Sequence, residues 1–290
     1  MATSVNIIDS AGLHRLESLN ASSGYEFKYS LRPDHVDFNV YIGDPKLFHR
    51  PHGKSKSIFL LTEPPEILTY DVEKLEQFDL VVGPGFDYLG DLSNLFDSHP
   101  LLPAFVGFHF PLSSKRFFKR GRLQYTRPTG HSFLPKRKTI TVIMSDKRIT
   151  EMHRLRLDFV DFMLKNSDLP LELYGRNFTP LSDKYEVLSS SKFHLAFENS
   201  VHHNYFTEKL HDPIIASNHV FYAGAPNIHD YYSRDRITLL NPTNFHESMN
   251  LITKQFHKNE DEIAFRNEES SKYFESYSLE ASLCKILSSI

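Results

Sequence analysis

A dense group of polar side chains follows one apolar run of the sequence. Residues 199–209 read NSVHHNYFTEK, directly after FHLAFE at 193–198. The apolar run predicts a central strand, and Thr207 is placed to begin the next helix. A helix N-terminus with Lys209 beside it suits a diphosphate, because backbone N–H groups and an ammonium can act on the same anion. Glu208 has an ordinary alternative explanation, since acidic residues in a first helical turn interact favourably with the helix dipole.

An arginine on an apolar helix face is a second candidate for chemistry. The pattern over 150–164 predicts a helix, and at ~100° per residue Arg156 lies about 40° from Met152, inside the apolar arc. Arg154 falls on the opposite face. An unpaired guanidinium is costly to bury, so Arg156 requires an anionic partner or a position at the edge of the arc. A structural carboxylate and a phosphate both remain open as that partner.

Other catalytic chemistries have less support in the sequence. His202 and His203 suggest a metal, but their adjacent spacing and the lack of a nearby cysteine disfavour one, so we expect no metal site. The sequence contains no Gly-x-Ser-x-Gly elbow, Walker loop or Gly-x-Gly-x-x-Gly fingerprint.

Alternating strands and helices position these candidates. In the second half the strand candidates are 139–144, 171–175, 193–199, 219–224 and 236–241, and the helix candidates are 150–164, 183–190, 207–217 and 244–257. This alternation predicts a doubly wound parallel sheet, in which ligands bind beyond the carboxyl ends of the strands. The first half has short apolar runs at 5–9, 36–43, 57–65, 78–85 and 101–110, which predict a less regular α/β layer.

A length of 290 residues predicts two domains rather than one core. We assign 1–112 to the first domain and 139–290, with its C-terminal helices, to the second. The segment between them, 113–138, holds nine Lys or Arg residues and no acid. It is predicted to be a solvated linker, with a surface facing phosphate, membrane or nucleic acid as the alternative.

The composition limits the class of protein. A net charge of −3 and a pI near 6.6 argue against a dedicated nucleic-acid binder. One cysteine excludes an intramolecular disulfide. The sequence shows neither a secretory signal nor a run of ~18 apolar residues. We therefore expect a cytoplasmic protein, with peripheral membrane contact through 113–138 as a further option.

Four motifs resemble the α-1,3/4-fucosyltransferase family. The main match is FHLAFENSVHHNYFTEKL followed by HVFYAGAPNIHDYY, which resembles the family's donor-binding signature. The segment SDKRITEMHRLRLDFVDFML is similar to an upstream element whose arginine falls on Arg156, and YGR at 174–176 is similar to the family's Phe-Gly-Arg/Lys step. LTEPP at 61–65 resembles the acceptor-side segment and places its carboxylate on Glu63.

The resemblance implies a GT-B architecture of two Rossmann-like domains and inverting transfer of L-fucose from GDP-fucose. It implies that Arg156 and Lys209 hold the diphosphate, that Asn199 and Tyr205 contact the nucleotide, and that Glu208 acts at the fucose. The implied acceptor is a hydroxyl of an N-acetylglucosamine-type glycan, with α-1,3 linkage expected, or a lipopolysaccharide. No cofactor is obligatory, and stimulation by a divalent cation is an option.

Glu63 is the candidate base. Inversion requires a base on the acceptor side, opposite the leaving diphosphate. Glu63 follows the apolar run SIFLL, so we expect a partly buried carboxyl with a raised pKa. Glu66, Asp87 and Asp91 are competing candidates.

The sequence also departs from the family. The segment NHVF at 218–221 lacks the family's Val-Pro-Val, and Ser217 stands where glycine is common. Pro213 lies inside the predicted helix and is expected to kink or break it. His202 and His203 replace smaller or acidic residues. These differences keep two alternatives open: a transferase that uses another GDP-sugar, and an inactive GDP-binding protein.

Overall fold

The computed structural model of the protein describes residues 2–10, 24–48, 54–105, 136–181, 183–258 and 272–290. Most of the basic segment 113–138 therefore lies outside the described residues. The described chain forms two separate parallel β-sheets, one of six strands and one of five, with helices packed on them. This architecture confirms the predicted α/β fold with two Rossmann-like sheets.

The first sheet has the strand order β2-β1-β3-β4-β5-β6. Its strands are β1 Thr3–Asp9, β2 Tyr25–Ser30, β3 Phe38–Ile42, β4 Lys56–Leu60, β5 Leu80–Gly83 and β6 Leu95–Asp97. Every neighbouring pair is parallel. The central strands β3 and β4 are buried over four successive residues, as expected for a parallel sheet covered on both faces. The short helix α1, Val72–Leu75, follows β4.

The second sheet has the order β11-β10-β9-β7-β8. Its strands are β7 Arg137–Ile143, β8 Leu171–Tyr174, β9 Ser191–Phe197, β10 His219–Ala223 and β11 Ile237–Leu239. The helices between them are α2 Glu151–Asn166, α3 Lys184–Ser189, α4 Glu208–Ile215 and α5 Phe245–Phe256. The chain order reverses between β7 and β9, which makes the carboxyl ends of these two strands the expected ligand site.

Polar residues begin the two helices that leave this edge. Thr150 caps α2 by accepting a hydrogen bond from the His153 backbone N–H, and the His153 side chain accepts one from the Thr150 N–H. Thr207 caps α4 in a similar way, accepting from the Lys209 N–H. Each cap satisfies backbone donors that a helix start leaves free, so both helix starts are fixed in place.

The end of α4 explains two departures from the family pattern. The helix continues through Pro213 and ends two residues later, so the expected break falls at its last turn rather than at the proline itself. Ser217 then adopts a φ of 60°, the left-handed region. Glycine adopts this conformation without steric cost, which explains why it is common at this position.

The last helix differs from the predicted domain assignment. Helix α6, Leu279–Ser289, places four apolar residues in the core of the first sheet: Leu279, Leu283, Ile286 and Leu287. The hydroxyl of Tyr29 on β2 donates to Glu280 at 2.6 Å. The spacing of these apolar residues predicts one buried helix face but not the sheet that covers it. The remaining domain boundaries stay predictions.

One predicted strand is wrong over its described part. Residues 101–105, from the apolar run 101–110, form no strand. Leu101 has a φ of 54°, which interrupts an extended chain, and Pro103 cannot donate a ladder hydrogen bond. Residues 106–110 lie outside the described chain. Within the described ranges no helix is both long and apolar enough to cross a bilayer.

Candidate active site

A cleft opens at the edge where β7 and β9 end. Helix α2 brings Arg156 to it, and α4 brings Glu208 and Lys209. The same cleft is lined by Lys184 of α3 and by Asp212 of α4. The structure therefore brings together the two residues predicted to hold a diphosphate, although they are 53 positions apart in the sequence.

Arg156 is a buried cation with spare hydrogen-bonding capacity. Arg156 is 5% exposed, and its Nη2 donates a hydrogen bond to the Ser145 carbonyl at 2.9 Å. Its Nε finds no acceptor among the described residues, and no described carboxylate forms an ion pair with it. Burial lowers the pKa of Arg156 to about 10, so the guanidinium remains charged at neutral pH. A buried guanidinium with a free N–H is stabilised by an incoming anion.

Lys209 lies between two carboxylates. Its Nζ is 3.3 Å from a Glu208 oxygen and 3.6 Å from a Glu198 oxygen, and it donates to Thr207 Oγ1 at 3.1 Å. Burial by itself would lower the pKa of Lys209, but Glu208 and Glu198 raise it above its usual value. The ammonium is therefore charged and held at the first turn of α4.

Glu208 pairs with Lys209 at the cleft. Burial alone would raise the pKa of this carboxyl, but the charges of Lys209 and Lys184 lower it to about 2. Glu208 is thus ionised at neutral pH. A carboxylate in this position can stabilise positive charge that develops on a sugar ring. The same geometry also allows the favourable interaction of an acidic residue in the first helical turn with the helix dipole.

Glu198 is a site residue that the sequence analysis did not select. The residue is 1% exposed at the end of β9. Its two carboxylate oxygens accept hydrogen bonds from the backbone N–H and the hydroxyl of Thr207, both at 2.8 Å. Burial raises the pKa of Glu198, and the nearby Lys209 opposes that shift. Glu198 thereby fixes the start of α4 and the position of Lys209. The sequence feature that could have identified Glu198 is an acidic residue directly after an apolar strand.

Asn199 and Tyr205 lie in the loop 199–206, which we call the signature loop. The Asn199 carbonyl accepts from Thr150 Oγ1 at 2.8 Å, which joins the loop after β9 to the start of α2. Tyr205 is 1% exposed and packs in the aromatic and aliphatic cluster of the first sheet, with its ring 6.4 Å from Phe86. Tyr205 therefore contributes to packing between the two sheets, and the nucleotide-binding roles of both residues stay predictions.

Glu63 follows a strand of the first sheet and lies within electrostatic range of Lys209 and Glu208. It is half-buried just beyond β4, and its N–H donates to the Tyr70 hydroxyl at 2.9 Å. Burial raises the pKa of Glu63, with Lys209 lowering it and Glu208 raising it. The charges of Lys209 and Glu208 therefore both act on the candidate base. Two of its competitors, Asp87 and Asp91, are exposed.

The third competitor, Glu66, contacts the signature loop instead. His202 Nε2 lies 3.2 Å from one Glu66 oxygen and 3.3 Å from the other. Asn204 Nδ2 donates to Asp97 at the end of β6, at 2.9 Å. The histidine that departs from the family pattern thus bonds the second sheet's loop to the first sheet. Among the described residues no group of three or more His, Cys, Asp or Glu side chains could hold a metal ion.

Residues 133–275 match the model of glycosyltransferase family 10 (fucosyltransferase), C-terminal region. This part of the chain belongs to glycosyltransferase family 10. It contains the whole second sheet and five of the six candidate site residues. Glu63 lies outside the family 10 region, so the match does not bear on the base.

Two relatives found by sequence similarity are named as fucosyltransferases. GDP-fucose protein O-fucosyltransferase 3 of Danio rerio is 35% identical over 110 residues, which cover 38% of this chain and 24% of that protein. The 4-galactosyl-N-acetylglucosaminide 3-alpha-L-fucosyltransferase FUT6 of Pongo pygmaeus is 54% identical over 44 residues, which cover 14% of this chain and 12% of that protein. Each match therefore spans about a quarter of the relative's length or less.

Solved structures share the fold over nearly the whole chain. An α1,3-fucosyltransferase solved with GDP has a TM-score of 0.54 at 16% identity, covering 99% of this chain and 89% of that one. TarM has a TM-score of 0.55 at 12% identity, covering 87% of this chain and 54% of that one. These similarities show a GT-B fold for the two sheets of the chain together.

Proposed function

We propose that the chain is an inverting glycosyltransferase that moves L-fucose from GDP-fucose to a hydroxyl of an N-acetylglucosamine-type glycan, with α-1,3 linkage. The observation that carries the proposal is the buried guanidinium of Arg156, whose free N–H lines the same cleft as Lys209 within the family 10 region. A phosphate group satisfies both cations at once. The cleft lies where an open α/β sheet binds nucleotides.

The residues around the cleft supply what the reaction requires. Negative charge grows on the departing GDP, and Arg156 and Lys209 stabilise it without a metal. The acceptor hydroxyl must lose a proton, and Glu63, half-buried with a raised pKa, is the proposed base. Glu208, ionised beside Lys209, stabilises positive charge on the fucose ring. Asn199 and Tyr205 are proposed to contact the nucleotide.

The acceptor is the least constrained part of the proposal. One relative is named for fucosylating proteins and another for a 4-galactosyl-N-acetylglucosaminide. We favour the glycan acceptor and keep lipopolysaccharide and protein hydroxyls as alternatives. A cytoplasmic location, with membrane contact through the basic segment 113–138, is proposed from the sequence.

Calorimetric titration with GDP, GDP-fucose and GDP-mannose tests the donor. We expect binding of GDP and GDP-fucose, and weaker binding of GDP-mannose. Release of GDP from GDP-fucose is then measured with N-acetyllactosamine, lipopolysaccharide and protein acceptors, in the presence of EDTA or of a divalent cation.

Each outcome separates the proposal from an alternative. Turnover with GDP-fucose and N-acetyllactosamine supports both the proposed donor and the proposed acceptor. Tight binding of GDP-mannose with turnover identifies another GDP-sugar donor. GDP binding without turnover on any acceptor supports an inactive GDP-binding protein, and the absence of GDP binding contradicts the proposal.

A further inference from the structure

The cleft contains a third cation that the sequence motifs do not include. Lys184 is the first residue of α3, and its side chain lines the cleft with Arg156 and Lys209. Helix α3 follows β8 in the chain, so its first residue lies at the carboxyl edge of the sheet, the same edge as Arg156 and Lys209. Lys184 is therefore on the ligand side of the sheet.

Lys184 is held by a carboxylate from the helix that carries Lys209. Its Nζ lies 2.6 Å from Asp212 Oδ2, and the other Asp212 oxygen accepts from the Phe105 N–H at 2.6 Å. The Lys184 side chain is 22% exposed and the Asp212 side chain 2% exposed. Asp212 lies four residues after Glu208, so one face of α4 presents both carboxylates to the cleft.

The charges that line the cleft explain why a third cation matters. Among the described residues three cations line the cleft, and each of the two lysines is already paired with a carboxylate. A diphosphate brings several negative charges, which must be offset by positive charge that is not already engaged. Lys184 can supply such charge by exchanging Asp212 for a phosphate oxygen. The same exchange removes the ammonium charge of Lys184 from beside the buried Asp212 carboxylate, which favours protonation of that carboxylate.

We propose that Lys184 is a specificity-determining residue of the donor site: it contacts the diphosphate, and Asp212 competes with the diphosphate for it. This inference rests on the proposed function. Burial raises the pKa of Asp212, although Lys184 opposes that shift, so the carboxyl can take up a proton when Lys184 turns to the ligand. GDP binding is then accompanied by proton uptake.

The test uses the full chain and calorimetric titration with GDP and GMP. Lys184→Met keeps the apolar stem and removes the charge; we expect GDP affinity to fall roughly tenfold, as for the loss of one charge-assisted hydrogen bond, and GMP affinity to fall less. Asp212→Asn keeps an acceptor for Phe105 and removes the competitor. It is expected to raise GDP affinity and to abolish the proton uptake measured in buffers of different ionisation enthalpy.

A matched control separates this role from a structural one. Lys165 forms an exposed pair with Asp161 at 2.6 Å on α2, and Lys165→Met should leave GDP affinity unchanged. A purely structural pair predicts that the Lys184 and Asp212 variants shift affinity in the same direction or not at all, and either result overturns the inference. If Lys184→Met does not fold, Asp212→Asn decides alone: tighter binding supports the role, and equal or weaker binding contradicts it. Failure of the unaltered chain to bind GDP contradicts the proposed function itself.

Discussion

His202 Nε2 lies 3.2 Å from a carboxylate oxygen of Glu66, so the signature loop is bonded to the segment that follows the candidate base Glu63. Phe86 adds an edge-on contact to the His202 ring, with centroids 5.1 Å apart. Both contacts join the signature loop of the second sheet to residues of the first half of the chain. The position of Glu63 relative to Lys209 therefore depends in part on a loop residue that departs from the family pattern.

A double-mutant cycle measures this contact. Because the two side chains are 28% and 44% exposed, solvent screens the pair, and we expect a coupling free energy of only ~0.2–1 kcal/mol from urea unfolding of His202→Ala, Glu66→Ala and the double variant. His203→Ala, at the exposed neighbour, is the control. A coupling free energy indistinguishable from zero would contradict a stabilising contact between His202 and Glu66.

Removal of Arg156 tests the diphosphate site. Arg156→Ala takes away a buried cation with a free N–H, and we expect GDP affinity to fall by about tenfold or more. Arg154→Ala, on the exposed face of the same helix, removes an equal charge without reaching the cleft and should change GDP affinity little. Calorimetric titration of both variants, with circular dichroism as a check on folding, gives the comparison. Unchanged affinity in a folded Arg156→Ala variant would remove Arg156 from the site.

The regular second half of the chain was the most predictable part of the fold. Its five strands and four helices follow from apolar runs separated by amphipathic segments, and the burial of Arg156 follows from its position on one helix face. The sheet that covers α6 was not predictable, because periodicity identifies a buried face but not its partner. Strand β6 has only three residues, too few to show a pattern.

The site was predictable where one residue type suggests one chemistry. Lys209 after a helix cap and Arg156 on an apolar face each indicate an anion. Glu198 and Lys184 act through hydrogen bonds and ion pairs with residues that are distant in the sequence or on another element. Their types alone do not reveal those partners, so only the folded structure identifies them.

Replacement of Glu63 tests the base. Glu63→Gln keeps the size of the side chain and removes its ability to take a proton, so transfer should fall by at least about two orders of magnitude, the range typical of general base catalysis. GDP affinity should change little, because the proposed diphosphate residues Arg156 and Lys209 lie on helices α2 and α4, which pack on the other sheet. GDP release with acceptor and calorimetric titration measure the two properties. Transfer that survives in this variant would place the base elsewhere, with Glu66 the next candidate.

The pH dependence of transfer follows from the raised pKa of Glu63. A base works in its deprotonated form, so burial, which raises this pKa, makes activity fall on acidification at a higher pH than for an ordinary glutamate. The charge of Lys147, an exposed residue, lowers the same pKa. Lys147→Gln should therefore move the acidic limb of kcat/KM further up in pH, whereas Lys165→Gln should not. If the acidic limb of kcat/KM stays at the same pH in Lys147→Gln, a group other than Glu63 controls that limb.

Gly224, in the Gly-Ala-Pro part of the donor-binding motif, is required by packing. A Cβ at this position would lie 2.6 Å from Glu198 Cγ and closer still to the hydroxyl of Tyr222, and both residues are buried. The Tyr222 hydroxyl cannot move freely, since it accepts a hydrogen bond from the Ala225 N–H at 3.1 Å. Gly224→Ala should therefore displace Glu198 and destabilise the fold by about 1–3 kcal/mol, the usual cost of overpacking.

The displacement also has a functional consequence. Glu198 holds Thr207 at the start of α4, so Gly224→Ala should weaken GDP binding as well as lower the urea midpoint. Gly85→Ala is the matched control, because a Cβ there meets its nearest atoms, in Asp97, only at 3.5 Å, an ordinary contact. If Gly224→Ala loses stability but binds GDP as tightly as the unaltered chain, Glu198 supports the fold without positioning Lys209. If Gly224→Ala keeps both its stability and its GDP affinity, the close packing of Gly224 against Glu198 and Tyr222 is relieved by a local shift.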